Sequence, residues 1–263
     1  MEYTYSLLDP TGNITVLVQT PVPVSEQPRL AEAIMAAEPT AQQTGFVGTD
    51  ESGSPTLRMA GGEFCGNASL SAAALYCLQH NLPVGETKAL PLHVPGVDLV
   101  VPVTVTRLGK ESFRGTVQMP TPCRVEPCTL QGRSRAYEGT LVTMSGISHF
   151  VTREPMEREE AEANIKNWCQ QRQADGFGIM LFEESSLNVT PLVYVPVPET
   201  MFWESSCASG STAVAAALAA KQSLPFSVTL HEPGGDLTVA VNAEGEFHLT
   251  GQVRLIKQST FIE

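Results

Sequence analysis

The sequence predicts an α/β chain made of two copies of one unit, each built around a helix of small residues with a cysteine at its mouth. Three observations predict it. Runs with a period of two alternate along the chain with runs of helical spacing. Cys65-Gly66-Asn67-Ala68-Ser69-Leu70-Ser71-Ala72-Ala73-Ala74 superimposes on Cys207-Ala208-Ser209-Gly210-Ser211-Thr212-Ala213-Val214-Ala215-Ala216, with Ser69 and Ser211 at the same offset from the cysteine. Upstream, Asn13 precedes Cys65 much as His149 precedes Cys207.

In the first half, residues 3–7 and 14–19 read as strands around an Asp9-Pro10-Thr11-Gly12-Asn13 turn. Residues 26–37 have helical spacing, with Leu30, Ile34 and Met35 on one face and Pro39 beyond the end. A short hairpin is expected from residues 44–47 and 56–59 around Asp50-Glu51-Ser52-Gly53. Gly61-Gly62-Glu63-Phe64-Cys65-Gly66-Asn67-Ala68 then opens a helix over 69–80, apolar or small on every side and therefore expected to be buried all round. Alternation over 92–105 and 114–119 adds strands. The second half repeats the order. Strands are expected at 140–144 and 150–152, a helix at 157–173 with Ile165 and Trp168 buried, and strands at 178–182 and 192–197. A small-residue helix at 212–221 is followed by strands at 227–231, 237–241 and 247–249.

Composition narrows the function. Hydrophobic residues make up 42% of the 263 and charged residues 17%, enough apolar surface for large cores. The net charge of −12 argues against nucleic acid or an anionic membrane as the main partner. A small molecule held by a few local donors is the expected partner. The beginning Met1-Glu2-Tyr3-Thr4-Tyr5 lacks the basic and apolar regions of a secretion signal, and the longest apolar run, 213–220, is too short to span a bilayer, so the cytoplasm is expected. The oligomeric state stays open, a homodimer included.

Of six cysteines, none forms a C-x-x-C pair, and Cys123 and Cys128 have no second pair or histidine cluster to complete a zinc site. No metal is expected. Cys77, Cys123, Cys128 and Cys169 read as reduced, ordinary residues. Cys65 and Cys207 differ, because a cysteine just before a helix meets unpaired N–H groups and the positive end of the dipole, which favour thiolate. The small residues that follow, Gly66, Asn67 and Ala68 and then Ala208, Ser209 and Gly210, let backbone N–H groups approach an anion. Two such mouths facing each other would hold one carboxylate and leave a sulfur on each side of the adjacent carbon. A thiolate on one face and a thiol on the other can remove and return a proton with inversion, which needs no pyridoxal phosphate or other cofactor.

These residues make the chain similar to the diaminopimelate epimerase-like superfamily, which includes proline racemases and phenazine-pathway relatives. Gly12-Asn13 before a strand, Gln43, Cys65-Gly66-Asn67, the 144–149 turn ending in His149, and Cys207-Ala208-Ser209-Gly210 match its motifs, with Ser148 for a proline and Ala208 for a glycine. The resemblance implies two pseudo-symmetric domains, each a curved sheet or barrel around its central helix. They would span residues 1–119 and 120–250, with residues 251–263 returning to the first. It makes Cys65 and Cys207 the acid/base thiols, and gives the carboxylate to N–H groups of Gly66, Asn67, Ala208 and Ser209. His149 and an acidic residue, Glu204, then flank the reacting centre.

Departures bear on substrate. Met59-Ala60-Gly61-Gly62 replaces a loop that carries an asparagine in diaminopimelate epimerases, and Phe202-Trp203-Glu204-Ser205-Ser206 lacks their arginine. Without that arginine clamp the distal end of diaminopimelate has no partner. The motif forms resemble most the histidine racemases of opine-metallophore pathways, and Trp203 or Phe64 could stack on an imidazole, with Gln43 or Glu204 as its polar partner. The alternatives are diaminopimelate epimerase, a proline or hydroxyproline-type racemase, or a non-catalytic binder of small acids. Residue by residue, His149 could be a hydrogen-bonded core histidine, Asn13 a turn residue, Glu204 a helix-dipole partner and Trp203 a core residue.

Overall fold

The computed structural model describes residues 1–94, 99–197 and 199–263. The chain folds into two compact units, residues 1–118 with 250–263 and residues 119–249. The first opens with β1 (Glu2–Pro10), β2 (Thr15–Val18), α1 (Gln27–Ala37), β3 (Gln43–Thr49), β4 (Pro55–Met59), α2 (Gly66–Gln79), β5 (Thr87–Val94), β6 (Leu99–Arg107) and β7 (Ser112–Met119). The second holds β8 (Arg124–Gln131), β9 (Ala136–Met144), β10 (Ile147–Thr152), α3 (Arg158–Arg172), β11 (Phe177–Glu183) and β12 (Asn188–Val195). It continues with β13 (Thr200–Trp203), α4 (Ala208–Ala219), β14 (Phe226–Glu232) and β15 (Gly235–Val241). Strand β16 (Phe247–Ile262) begins there and belongs to the first unit from Thr250 onward.

In the first unit the strands run β1-β2-β3-β4-β5-β6-β7-β16, and β16 pairs back with β1, so the sheet closes into a barrel. Helix α2 packs against β1, β2, β4, β5 and β6, and residues 66–75 and Cys77 are all buried. A ring of this size leaves little width for a helix, which explains the run of alanine, serine and glycine. Gly115 on β7 meets the same limit, since a Cβ there would stand 2.7 Å from the Leu70 side chain. Helix α1 lies outside, with Leu30, Ala31 and Ile34 buried against Tyr3, Tyr5, Val16, Val18 and Phe46.

The second unit repeats this plan. Its strands run β15-β14-β12-β11-β10-β9-β8, with β13 added beside β12. Parallel pairs fall at equivalent places in the two halves: β2 with β3 and β10 with β11, then β4 with β5 and β12 with β14. Helix α4 packs on β9, β10, β11, β14 and β15, as α2 does in the first unit. Helix α3 buries Ile165 and Trp168 as its spacing predicts, and Trp168 meets Tyr137, Phe150 and Phe177 edge-on.

Several elements differ from expectation. The stretch expected as strand over 92–105 belongs to two antiparallel strands, β5 and β6, and its residues 95–98 lie outside the described residues. Both central helices begin directly after their cysteines, not three or four residues later, because each cysteine itself caps the helix. Strands β8 and β13 were not expected. Among the described residues, no helix is long and apolar enough to cross a membrane.

Candidate active site

In the first unit Cys65 is the N-cap of α2. Its extended backbone (φ −132°, ψ 117°) turns the side chain back over the first turn, where Sγ accepts from the Ala68 N–H at 3.4 Å. The thiol also donates to Gln43 Oε1 at 3.2 Å. Gln43, the first residue of β3, is anchored by donating from Nε2 to Asn13 Oδ1 (2.5 Å) and Thr15 Oγ1 (2.7 Å). Asn13, buried in the turn before β2, donates in turn to Gln42 Oε1 at 2.8 Å. The parallel pairing of β2 with β3 puts Thr15 opposite Gln43 and so brings Asn13, Gln43 and Cys65 together. Gly66 and Asn67 follow in the buried first turn.

The second unit builds a similar mouth from different chemistry. Cys207 caps α4 with the same geometry (φ −134°, ψ 103°), and Sγ accepts from the Gly210 N–H at 3.4 Å. Ser209 Oγ lies 3.5 Å from that sulfur and 3.0 Å from Nε2 of His149, linking the histidine to the thiol. Ala208 and Ser209 occupy the first turn. Glu204 has its N–H donated to Pro191 O at 3.0 Å, and its carboxyl hydrogen-bonds the Cys207 side chain.

His149 is fully buried on β10 opposite Gly178 of β11. A Cβ at Gly178 would stand 2.2 Å from His149 Nδ1, so the glycine is what lets the ring lie across its neighbour. That Nδ1 has no hydrogen-bond partner among the described residues. Burial pushes the imidazole down to about 3, so His149 is neutral at ordinary pH, and its Nε2 shares a hydrogen bond with the Ser209 hydroxyl. Burial raises the Glu204 carboxyl to about 7, against the lowering effect of its bond to Cys207. The Cys207 thiol is pushed well above its ordinary range by burial first, then by Glu204 and Glu232.

Glu232 is the residue that sequence reasoning missed. It ends β14, accepts from the Cys207 N–H at 2.5 Å and from the Ser211 hydroxyl, and burial raises it to about 8. A signal was present: Val228, Leu230 and Glu232 are the inward positions of one alternating strand, so the glutamate lies on the apolar face. Trp203 is held by neighbours on α3. Its indole N–H donates to Glu162 Oε1 at 2.7 Å, Arg158 sits 4.8 Å above the ring, and the side chain packs on the α3 core. These contacts support packing as its role. Among the described residues, no group of three or more His, Cys, Asp and Glu side chains could hold a metal ion.

Residues 2–260 match the family model described as the histidine racemase CntK N-terminal domain. The chain belongs to the histidine racemase family. A histidine racemase of Fusobacterium nucleatum is 31% identical over 258 residues, covering 95% of this chain and 94% of that protein. One from Staphylococcus aureus is 28% identical, covering 89% and 87%. Family members are isomerases, and this chain is one by descent. In fold it resembles a predicted epimerase from Pseudomonas aeruginosa (TM-score 0.71, 14% identity, 99% of both chains). It also resembles a hydroxyproline epimerase from Agrobacterium vitis (TM-score 0.70, 12% identity, 98% and 92%). Those likenesses place the α/β, pseudo-symmetric two-domain fold among the epimerases.

Proposed function

We propose that the protein interconverts L- and D-histidine by moving the α-proton between Cys65 and Cys207, without a cofactor. The observation that carries this reading is the pair of cysteines, each capping a small-residue helix, in a chain of the histidine racemase family. In one direction a thiolate takes the Cα proton and the C–H electron pair moves into the carboxylate as an enolate. First-turn N–H groups of Gly66 and Asn67 and of Ala208 and Ser209 hold the growing negative charge, because helix mouths present donors without reorganisation. The opposite thiol gives its proton to the other face of Cα, and its sulfur becomes the thiolate. The reverse reaction exchanges the two roles.

In this reading His149 orients Ser209 and through it Cys207, and Glu204 exchanges a proton with the Cys207 sulfur. Asn13 and Gln43 fix Cys65 and supply polar contacts to substrate. Phe64, beside Cys65, is the aromatic assigned to the imidazole. Two thiols that exchange protons must stay reduced, which supports the cytoplasm as the place of work. The test is Cα deuteration of L- and D-histidine in heavy water, run after dialysis against a chelator and in the presence of a carbonyl reagent. Exchange at full rate with both enantiomers is expected. A kcat/KM for diaminopimelate or L-proline tenfold above that for histidine would overturn the substrate assignment.

A further inference from the structure

Among the described residues, the position in the first unit that corresponds to Glu232 is held by Val94. The single bridges Thr56 to His93 and Asn188 to His231 align β5 with β14, and the residue after His93 is the buried Val94. Where the first unit has a valine, the second has a carboxyl with 7% of its surface exposed. A carboxyl at such a place is tolerated only when it is well bonded. Here both oxygens are used, one by the N–H of the N-cap residue Cys207 and one by the Ser211 hydroxyl one turn along α4. The turn that follows is tied to the same approach, since the Gly234 N–H donates to Ser205 O at 2.7 Å. A glutamate from a distant hairpin thus braces the segment that carries the second thiol.

We propose that Glu232 is a positioning residue for the second thiol: from the end of β14 it braces the entry to α4, and it sets a carboxyl beside Cys207 where the first unit has Val94. This rests on the two-thiol reading above. The groups facing Cys207 are Glu204, Glu232 and, through Ser209, the neutral His149. His231 and Asp236 pair with each other at 2.8 Å on the exposed side of the β14–β15 hairpin and do not face the sulfur. As pH rises past about 8, Glu232 ionises and its charge then works against a thiolate at Cys207. Only the thiol form of Cys207 can donate, so the alkaline limit of activity is pushed upward.

Glu232→Gln keeps an oxygen for the Cys207 N–H and an amide for Ser211 Oγ, and removes the charge. Cys207 alkylation by iodoacetamide, followed by peptide mapping against pH in a Cys65→Ser background, reads the ionisation without depending on turnover. Its midpoint should fall by about one pH unit or more, a roughly tenfold gain of thiolate at fixed pH. In the otherwise unaltered enzyme, the alkaline limb of kcat/KM should fall with it while the acid limb stays. Glu232→Asp, which keeps the charge, should hold the midpoint high. An unmoved midpoint in Glu232→Gln, or equal behaviour of Gln and Asp, overturns the proposal, as does a moved midpoint with both limbs in place. Full turnover by Cys207→Ser would instead overturn the two-thiol reading, and the alkylation midpoint would still report whether Glu232 and Cys207 are coupled.

Discussion

Acid should destabilise this protein through His149, by an amount that can be worked out in advance. The ring is fully buried and its ionisation falls from an ordinary 6.5 to about 3 because burial disfavours the cation. The folded pKa is depressed, so below 6.5 the unfolded chain takes up a proton that the folded one refuses. The stability present above pH 6.5 is therefore lost as pH falls toward 3. At pH 5 the deficit spans about 1.5 pH units, or ~2 kcal/mol at ~1.36 kcal/mol per unit. Glu204 and Glu232 have raised pKa values and act in the opposite sense, stabilising the fold as pH falls from about 7 and 8. Comparing wild type with His149→Gln cancels them. Urea unfolding of both proteins at pH 7 and pH 5 should show the wild type losing ~2 kcal/mol more than the variant. Parallel losses would mean that His149 is protonated in the folded protein, and the neutral-imidazole account of Ser209 would fall with it.

Cys65→Ala and Cys207→Ala should each abolish racemisation with the far-ultraviolet spectrum intact. Cys77→Ala and Cys169→Ala should keep activity and lose about 1 kcal/mol of stability by denaturant titration, while the exposed Cys123 should tolerate alanine freely. Trp203→Ala should cost about 2 kcal/mol, less than a fully buried tryptophan, and leave the KM for histidine unchanged in steady-state assays. Ser209→Ala cuts the link between His149 and Cys207, and should lower kcat about tenfold with little effect on KM.

The repeat and its two capping cysteines were legible because small residues behind a cysteine leave the chain few options: only such a helix can be buried on every side. The faces of α1 and α3 were legible for the usual reason, that period and burial coincide at Leu30, Ile34, Ile165 and Trp168. Strand β8 was not, since Arg124, Glu126 and Pro127 interrupt any alternation and it has only β9 beside it, where a strand tolerates exposure. Glu232 was readable in principle from its place after Val228 and Leu230, but a strand-end acid before Pro233-Gly234 looks like an ordinary turn residue until its bonds to α4 are seen. Trp203 could not be resolved from sequence at all. A tryptophan near a reactive cysteine suits a ligand or a core equally, and what decides it is Glu162 and Arg158 on α3, far off along the chain.

Strand β16 has a consequence for how the molecule comes to exist. The pairs that shut the first ring join Glu2 to Ile262 and Tyr5 to Ser259, among the longest sequence separations the chain offers. During synthesis β1 emerges long before β16, and must wait for all the strands between them before its partner arrives. Closing so long a loop is slow, and until then β1 and β7 each present an unpaired edge. The first unit is therefore finished last, and the turn that leads to Asn13, Gln43 and Cys65 is held by Gln252, which is made after Cys207. Loss of 250–263 would open the ring between β1 and β7, and take away the strand that holds the turn leading to Asn13.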